Sequence, residues 1–158
     1  MRYRLLAVAA ALFLAGCATQ PAATITRPVV RNGSLPPQAS ADWINLGVSP
    51  NGNILNELDK LSILRNGQKV TFRDRKTIFN LRKENFLNTP RHKISLNYWE
   101  IDCANRTFKL TAMDLFDENG RQISSFSYND AQIKPMPVVQ NSASYQQMLV
   151  VCGKDTGN

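Results

Sequence analysis

Between Trp43 and Tyr128 the chain is cut by turn signals into short runs in which apolar and polar residues alternate, and this pattern restricts the fold more than any other feature. A period of two puts successive side chains on opposite faces of an extended strand, so each run requires neighbouring strands. Trp43 to Val48 reads as a first strand, stopped by Pro50-Asn51-Gly52. Leu58 to Leu64 leads into Asn66-Gly67, a dipeptide that tolerates the positive φ of a tight hairpin, and Val70 to Phe79 returns as a long strand. Leu81 to Pro90 has no strand pattern and reads as a loop with a short helical turn. From His92 to Cys103, Ile94, Leu96 and Tyr98 share one face, while Trp99, Ile101 and Cys103 share the other. That switch at Tyr98-Trp99 calls for a bulge, or for a strand covered on both faces. Arg106 to Phe116 and Gln122 to Tyr128 complete a meander.

The C-terminal stretch changes period. Tyr145, Met148, Leu149 and Cys152 fall at i, i+3, i+4 and i+7, one stripe of a helix, with Ser142 as N-cap and Gly153 as the stop. The expected fold class is α+β: an antiparallel β-sheet of about five to six strands with a C-terminal α-helix packed on it.

The first sixteen residues have the zones of an export signal: Arg2 and Arg4, the apolar run Leu5 to Leu14, and small residues ending at Gly16. The run is too short to cross a hydrocarbon core of about 30 Å as a helix. The tetrad Leu14-Ala15-Gly16-Cys17 resembles the lipobox of bacterial lipoproteins. That resemblance implies cleavage before Cys17, diacylation of its thiol and acylation of the new amino group. Several acyl chains make a stable anchor where one, at about 0.8 kcal/mol per buried methylene, binds only marginally. Ala18 stands where the lipoprotein pattern places Asp for inner-membrane retention, so the outer membrane is the expected destination, with the domain on the cell surface or the periplasmic face. Residues 17–41, with Pro21, Pro28, Pro36 and Pro37 among small polar residues, read as the lipidated cysteine and a flexible tether. The folded domain is expected over 42–158.

Two cysteines then remain, Cys103 and Cys152, and an even thiol count in an oxidising compartment reads as a structural disulfide. Closing a loop of about 50 residues is worth roughly 4 kcal/mol on the chain-entropy account. Such a bond would clamp the helix to the sheet.

Loss of Arg2 and Arg4 with the signal reduces 19 basic side chains to 17 against 12 acids, so the mature chain stays basic. The excess is concentrated in Lys69, Arg73, Arg75, Lys76, Arg82, Lys83, Arg91 and Lys93, opposed in that segment only by Asp74 and Glu84. Such a run serves as a solvated or edge-protecting face, or as a recognition patch for acidic polymers, lipid headgroups or acidic protein segments. Nucleic acid is not an expected partner in this compartment.

Catalysis needs a nucleophile with its base, paired carboxylates or a ligated metal, and the chain supplies no such constellation. His92, the one histidine, stands between Arg91 and Lys93 and reads as a surface residue. Asp114, Asp117 and Glu118 do not match an EF-hand, and no glycine-rich phosphate loop occurs. Neither a cofactor, a metal nor an enzymatic activity is expected. A cleft setting Asp59, Asp102 or Asp114 against a buried cation would reopen that question. Trp43 and Trp99 lie within strand patterns and read as core.

Trp43, Leu58-Asp59-Lys60-Leu61-Ser62-Ile63, Ile101-Asp102-Cys103-Ala104, Leu115-Phe116-Asp117 with Gly120, and Val150-Val151-Cys152 together resemble the bacterial surface-adhesin protein E family. The resemblance runs from Trp43 to Lys154. It implies a small α+β lipoprotein domain, homodimer formation, and binding of host matrix and serum proteins such as vitronectin, laminin and plasminogen. No binding motif can be carried over residue by residue. An accessory lipoprotein supporting the envelope from its periplasmic face is the alternative.

Overall fold

The computed structural model describes residues 40–153. Cys17, the expected signal and the tether up to Ala39 lie outside the described residues.

Eight strands form one antiparallel sheet: β1 (Trp43–Val48), β2 (Ile54–Asp59), β3 (Leu64–Asn66), β4 (Lys69–Ile78), β5 (Ile94–Asp102), β6 (Thr107–Phe116), β7 (Gln122–Ser127) and β8 (Met136–Pro137). A single helix, α1 (Ala143–Cys152), follows them. The order is β1-β2-β4-β5-β6-β7, with β3 also pairing β4 and β8 also pairing β6. The fold is α+β, as its sequence pattern requires, with two short strands beyond the six of the main path.

The run read from Leu58 to Leu64 divides differently. β2 already starts at Ile54, where a hydrogen bond from Ser49 N to Ile54 O at 2.8 Å closes the β1–β2 turn. It ends at Asp59, whose carboxylate accepts from Leu61 N at 3.0 Å and caps the 3₁₀ turn Lys60–Ser62. The chain therefore leaves the sheet for one turn and rejoins β4 as β3. Gly67 then takes the positive φ (+59°) that the β3–β4 turn needs. β8 has no strand pattern to reveal it. It is two residues long, and its Pro137 is tolerated because the strand lies at the sheet margin.

The apolar switch at Tyr98-Trp99 is real and is absorbed by the partner strand. Tyr98 pairs Ala112 while Trp99 pairs Leu110, so Thr111 is the extra residue of a bulge in β6. β5 itself is covered on both faces, since Leu96 and Ile101 are both buried although their side chains point oppositely.

Leu58, Val70, Phe72 and Ile101 form the sheet side of the core, and Met148 and Val151 form the helix side. The Cys103–Cys152 disulfide spans a Cα–Cα distance of 5.8 Å and fixes the last turn of α1 to the end of β5. Ser142 Oγ accepts from Tyr145 N at 3.2 Å as the N-cap, and Gly153, with φ +89°, is the stop. The buried side of α1 is Gln147, Met148 and Val151, rotated from the stripe that apolarity marks through Tyr145 and Leu149. Gln147 explains the rotation. Its Nε2 reaches the buried Asp74 of β4, an acceptor that hydropathy alone does not reveal.

Candidate functional site

Strand direction gives the domain two distinct poles. β1 enters at Trp43 and runs to Val48, and its register with β2 places Trp43 opposite Asp59 and Val48 opposite Leu55. The β1–β2 turn therefore lies at the pole away from the point where the chain enters. The long β4–β5 loop lies at that same far pole, because Phe79 N donates to Asn53 O at 2.8 Å.

This loop is fastened to the sheet by one buried side chain. Asn53 donates through Nδ2 to Asn80 O at 2.9 Å and to Glu84 Oε1 at 2.6 Å, and accepts from Asn80 N at 2.9 Å. Asn80 in turn accepts from Arg82 N at 2.9 Å and caps the 3₁₀ turn Leu81–Lys83, whose Leu81 is buried. Phe86 and His92 pack edge to face at 5.1 Å, and Lys93 N donates to Phe116 O at 2.8 Å. Each residue of the loop without a ladder partner would cost conformational entropy on ordering, and these bonds offset that cost within the fold itself.

The eight cations of the basic segment do not form one patch. Arg73 Nε and Nη2 both lie 2.7 Å from Asp59 Oδ2, with side-chain exposures of 11% and 1%. Arg75 Nε lies 2.7 Å from Glu57 Oε2, and both arginines stack on Trp43, their guanidinium carbons 5.5 and 4.4 Å from its ring centroid. Trp43 is thus a platform for structural cations on the face opposite α1, not part of the main core. Lys69 pairs with Glu100 at 3.3 Å, and Lys76 Nζ lies 5.8 Å from the Trp99 centroid. Trp99 packs against the core, as its strand pattern indicates.

Arg82, Lys83 and Arg91 are different. All three are exposed on the β4–β5 loop, and none forms an ion pair among the described residues. The one acid of the loop, Glu84, is occupied by Asn53, and Lys93 Nζ donates to Phe79 O at 3.1 Å. Two apolar side chains, Phe79 (53% exposed) and Leu87 (81%), stand among these cations. The cations are visible in the sequence, but the frame that holds them is not. Asn53 carries no sequence signal for its role, whereas Phe79 and Leu87 were visible as apolar residues beside a segment without strand alternation.

Asp59 does meet a buried cation, the arrangement that would reopen an enzymatic reading, but its carboxylate is closed. Oδ1 accepts from Asp42 N at 2.9 Å and Leu61 N at 3.0 Å, while Oδ2 accepts from Arg73. Both Asp59 oxygens are thus engaged by Asp42, Leu61 and Arg73 in holding the turn after β2 against β4. Asp102 is held below the usual carboxylate range first by the Asn105 backbone N–H and then by the Asn105 side chain. Asp114 accepts from Ser125 Oγ at 2.6 Å and Gln122 Nε2 at 3.2 Å. Among the described residues no group of three or more His, Cys, Asp or Glu is placed to hold a metal. A groove of about 420 Å³ opens beside the Arg73–Asp59 pair, with Ser40, Leu61, Leu64, Thr71 and Tyr98 on its walls.

The described residues thus form a disulfide-clamped α+β domain with an exposed cationic loop. The chain belongs to the surface-adhesin protein E family, whose pattern it matches over residues 43–153. Its fold is also that of Haemophilus influenzae protein E in crystal form II, with a TM-score of 0.50 at 16% identity over 77% of this chain and 95% of that one. A second structure of Haemophilus influenzae protein E aligns over 77% of this chain and 92% of that one at 16% identity, with a TM-score of 0.49. None of the curated protein sequences matches the chain.

Proposed function

We propose that this chain is a non-enzymatic, lipid-anchored outer-membrane protein whose domain serves as a surface adhesin for host matrix or serum macromolecules. Cys17 is the proposed anchor. The β4–β5 loop is the proposed contact surface. Membership of the surface-adhesin family supports the adhesin role. The observation that carries the choice of surface is the set of exposed cations Arg82, Lys83 and Arg91, without an ion pair among the described residues, on a loop fastened by Asn53 at the pole away from Trp43. Exposed charges of this kind steer association with acidic surfaces and lose strength with salt.

The test is saturable binding of the mature domain to immobilised vitronectin, laminin and plasminogen across a salt series, for wild type and for the R82E/K83E/R91E variant. Weaker binding and a flatter salt dependence in the variant are expected. Equal binding at every ionic strength would remove the role of the loop. Protease shaving of intact cells tests the location: a domain protected until the outer membrane is breached would be the periplasm-facing accessory lipoprotein instead.

A further inference from the structure

The β4–β5 loop carries more than charge. Leu87 is 81% exposed, the most exposed large apolar side chain among the described residues, and Phe79 is 53% exposed on the same loop, although Leu81 between them is buried. Leu87 is held out by its neighbours. Phe86 packs edge to face on His92 at 5.1 Å, and His92 Nδ1 donates to Pro90 O at 2.8 Å, so the chain is braced on both sides of Leu87. Phe79 has its backbone paired, its N–H donating to Asn53 O at 2.8 Å and its carbonyl accepting from Lys93 Nζ at 3.1 Å. It can therefore leave water without stranding a main-chain polar group.

The charge carried with these two side chains is mostly of one sign. Arg82, Lys83 and Arg91 are exposed and form no ion pair among the described residues, while Glu84 is turned to Asn53 Nδ2 at 2.6 Å. The β6–β7 turn at the same pole adds one exposed acid, Glu118, since Asp117 pairs with Arg121 at 3.0 Å, and the pole keeps a positive excess. A sulfated polysaccharide would match the cations and leave Phe79 and Leu87 in water. A stable protein interface takes about 800 Å² from each partner, more than a few exposed side chains supply, whereas a bilayer needs only side chains that enter it. An anionic bilayer also matches both kinds of side chain, offering phosphates to the cations and, beneath them, the hydrocarbon boundary to the apolar pair.

We propose that the β4–β5 loop binds anionic phospholipid bilayers, with Leu87 and Phe79 entering the boundary between headgroups and hydrocarbon and Arg82, Lys83 and Arg91 held on the lipid phosphates. The contact goes beyond the adhesin reading, with which it shares the cations but not the apolar pair.

The experiment is flotation with vesicles of phosphatidylcholine alone or of phosphatidylcholine with phosphatidylserine. It uses the mature chain from residue 17 with Cys17→Ser, so that no acyl chain of its own contributes. Partition onto the vesicles containing phosphatidylserine is expected, with little onto the neutral ones. L87S should lower that partition about tenfold, and R82A/K83A/R91A about a hundredfold. Both variants alter exposed residues, and unchanged thermal melts confirm that the fold is retained. Absence of partition onto the anionic vesicles would overturn the proposal. So would L87S binding as tightly as the parent, which would reduce the contact to surface charge. Binding to immobilised laminin, measured on the same proteins, separates the two readings: laminin binding without vesicle binding sinks the bilayer contact alone, and vesicle binding without any matrix-protein binding supports it while sinking the adhesin role.

Discussion

Gln147 Nε2 donates to Asp74 Oδ2 at 2.5 Å, joining residues 73 positions apart and tying α1 to the middle of β4. Asp74 also accepts from Asn97 Nδ2 at 2.6 Å and Trp99 Nε1 at 2.9 Å, so one buried carboxylate gathers three donors from two other elements. A carboxylate so placed fixes helix orientation through acceptor geometry, whereas apolar contact alone would leave neighbouring rotations of α1 nearly equivalent in energy.

Burial raises the Asp74 pKa above 3.8, outweighing the opposing influences of Lys76 and of the hydrogen bonds from Asn97, Gln147 and Trp99. The folded protein therefore holds the proton to higher pH than the unfolded chain. This contribution to stability is full below 3.8 and is lost as pH rises through the folded value. The D74N variant lacks this titration and leaves a donor unpaired, with an expected cost of about 1–3 kcal/mol. Urea unfolding of both proteins between about pH 4 and pH 7 should show the stability of wild type relative to D74N decreasing as pH rises. A difference constant with pH would contradict the assignment.

The Arg73–Asp59 pair is nearly excluded from solvent, so removing one partner strands the other. R73A and D59A should each destabilise the domain by about 3–5 kcal/mol, and the double variant by clearly less than their sum. Equilibrium denaturation of the three variants checks this. Additive losses would mean the two side chains act independently.

Reversal of Arg82, Lys83 and Arg91 should behave oppositely. These side chains have no acidic partner among the described residues, so R82E/K83E/R91E should unfold within about 0.5 kcal/mol per substitution of wild type. A thermal melt is sufficient. A large loss of stability would show that the loop cations are structural, as Arg73 and Arg75 are.

Replacing Cys103 and Cys152 by serine removes a cross-link over 49 positions and should cost about 4 kcal/mol. Hydrogen exchange should report the loss first in α1, at Gln147 to Val151, because the disulfide is the covalent tie between its last turn and the end of β5. Uniform loss of protection across sheet and helix would instead place the effect on the whole fold.

Much of the fold could be read locally. β1 coincides with the run marked by Trp43 and Val48, the Tyr98-Trp99 switch marks a true register shift, and Ser142 and Gly153 bound the helix as their chemistry dictates. Three features could not be read so. β2 was obscured by Ile54 and Leu55, which are adjacent rather than alternating. β8 is too short for any period, and the buried side of α1 depends on a polar residue.

The candidate site divides in the same way. The sequence alone determined that positive charge is concentrated between Lys69 and Lys93, and that Cys103 and Cys152 were available to each other, because composition and thiol count do not depend on register. Only the tertiary structure decided which cations face a partner. Pairing Glu57 with Arg75 across β2 and β4 brings their side chains to one face, and the 3₁₀ turn at Lys60–Ser62 sets Asp59 against Arg73. Those contacts follow from turn length and strand register. Arg82, Lys83 and Arg91, carried on a loop beyond the ladder, have no cross-strand acid to neutralise them, and so remain exposed.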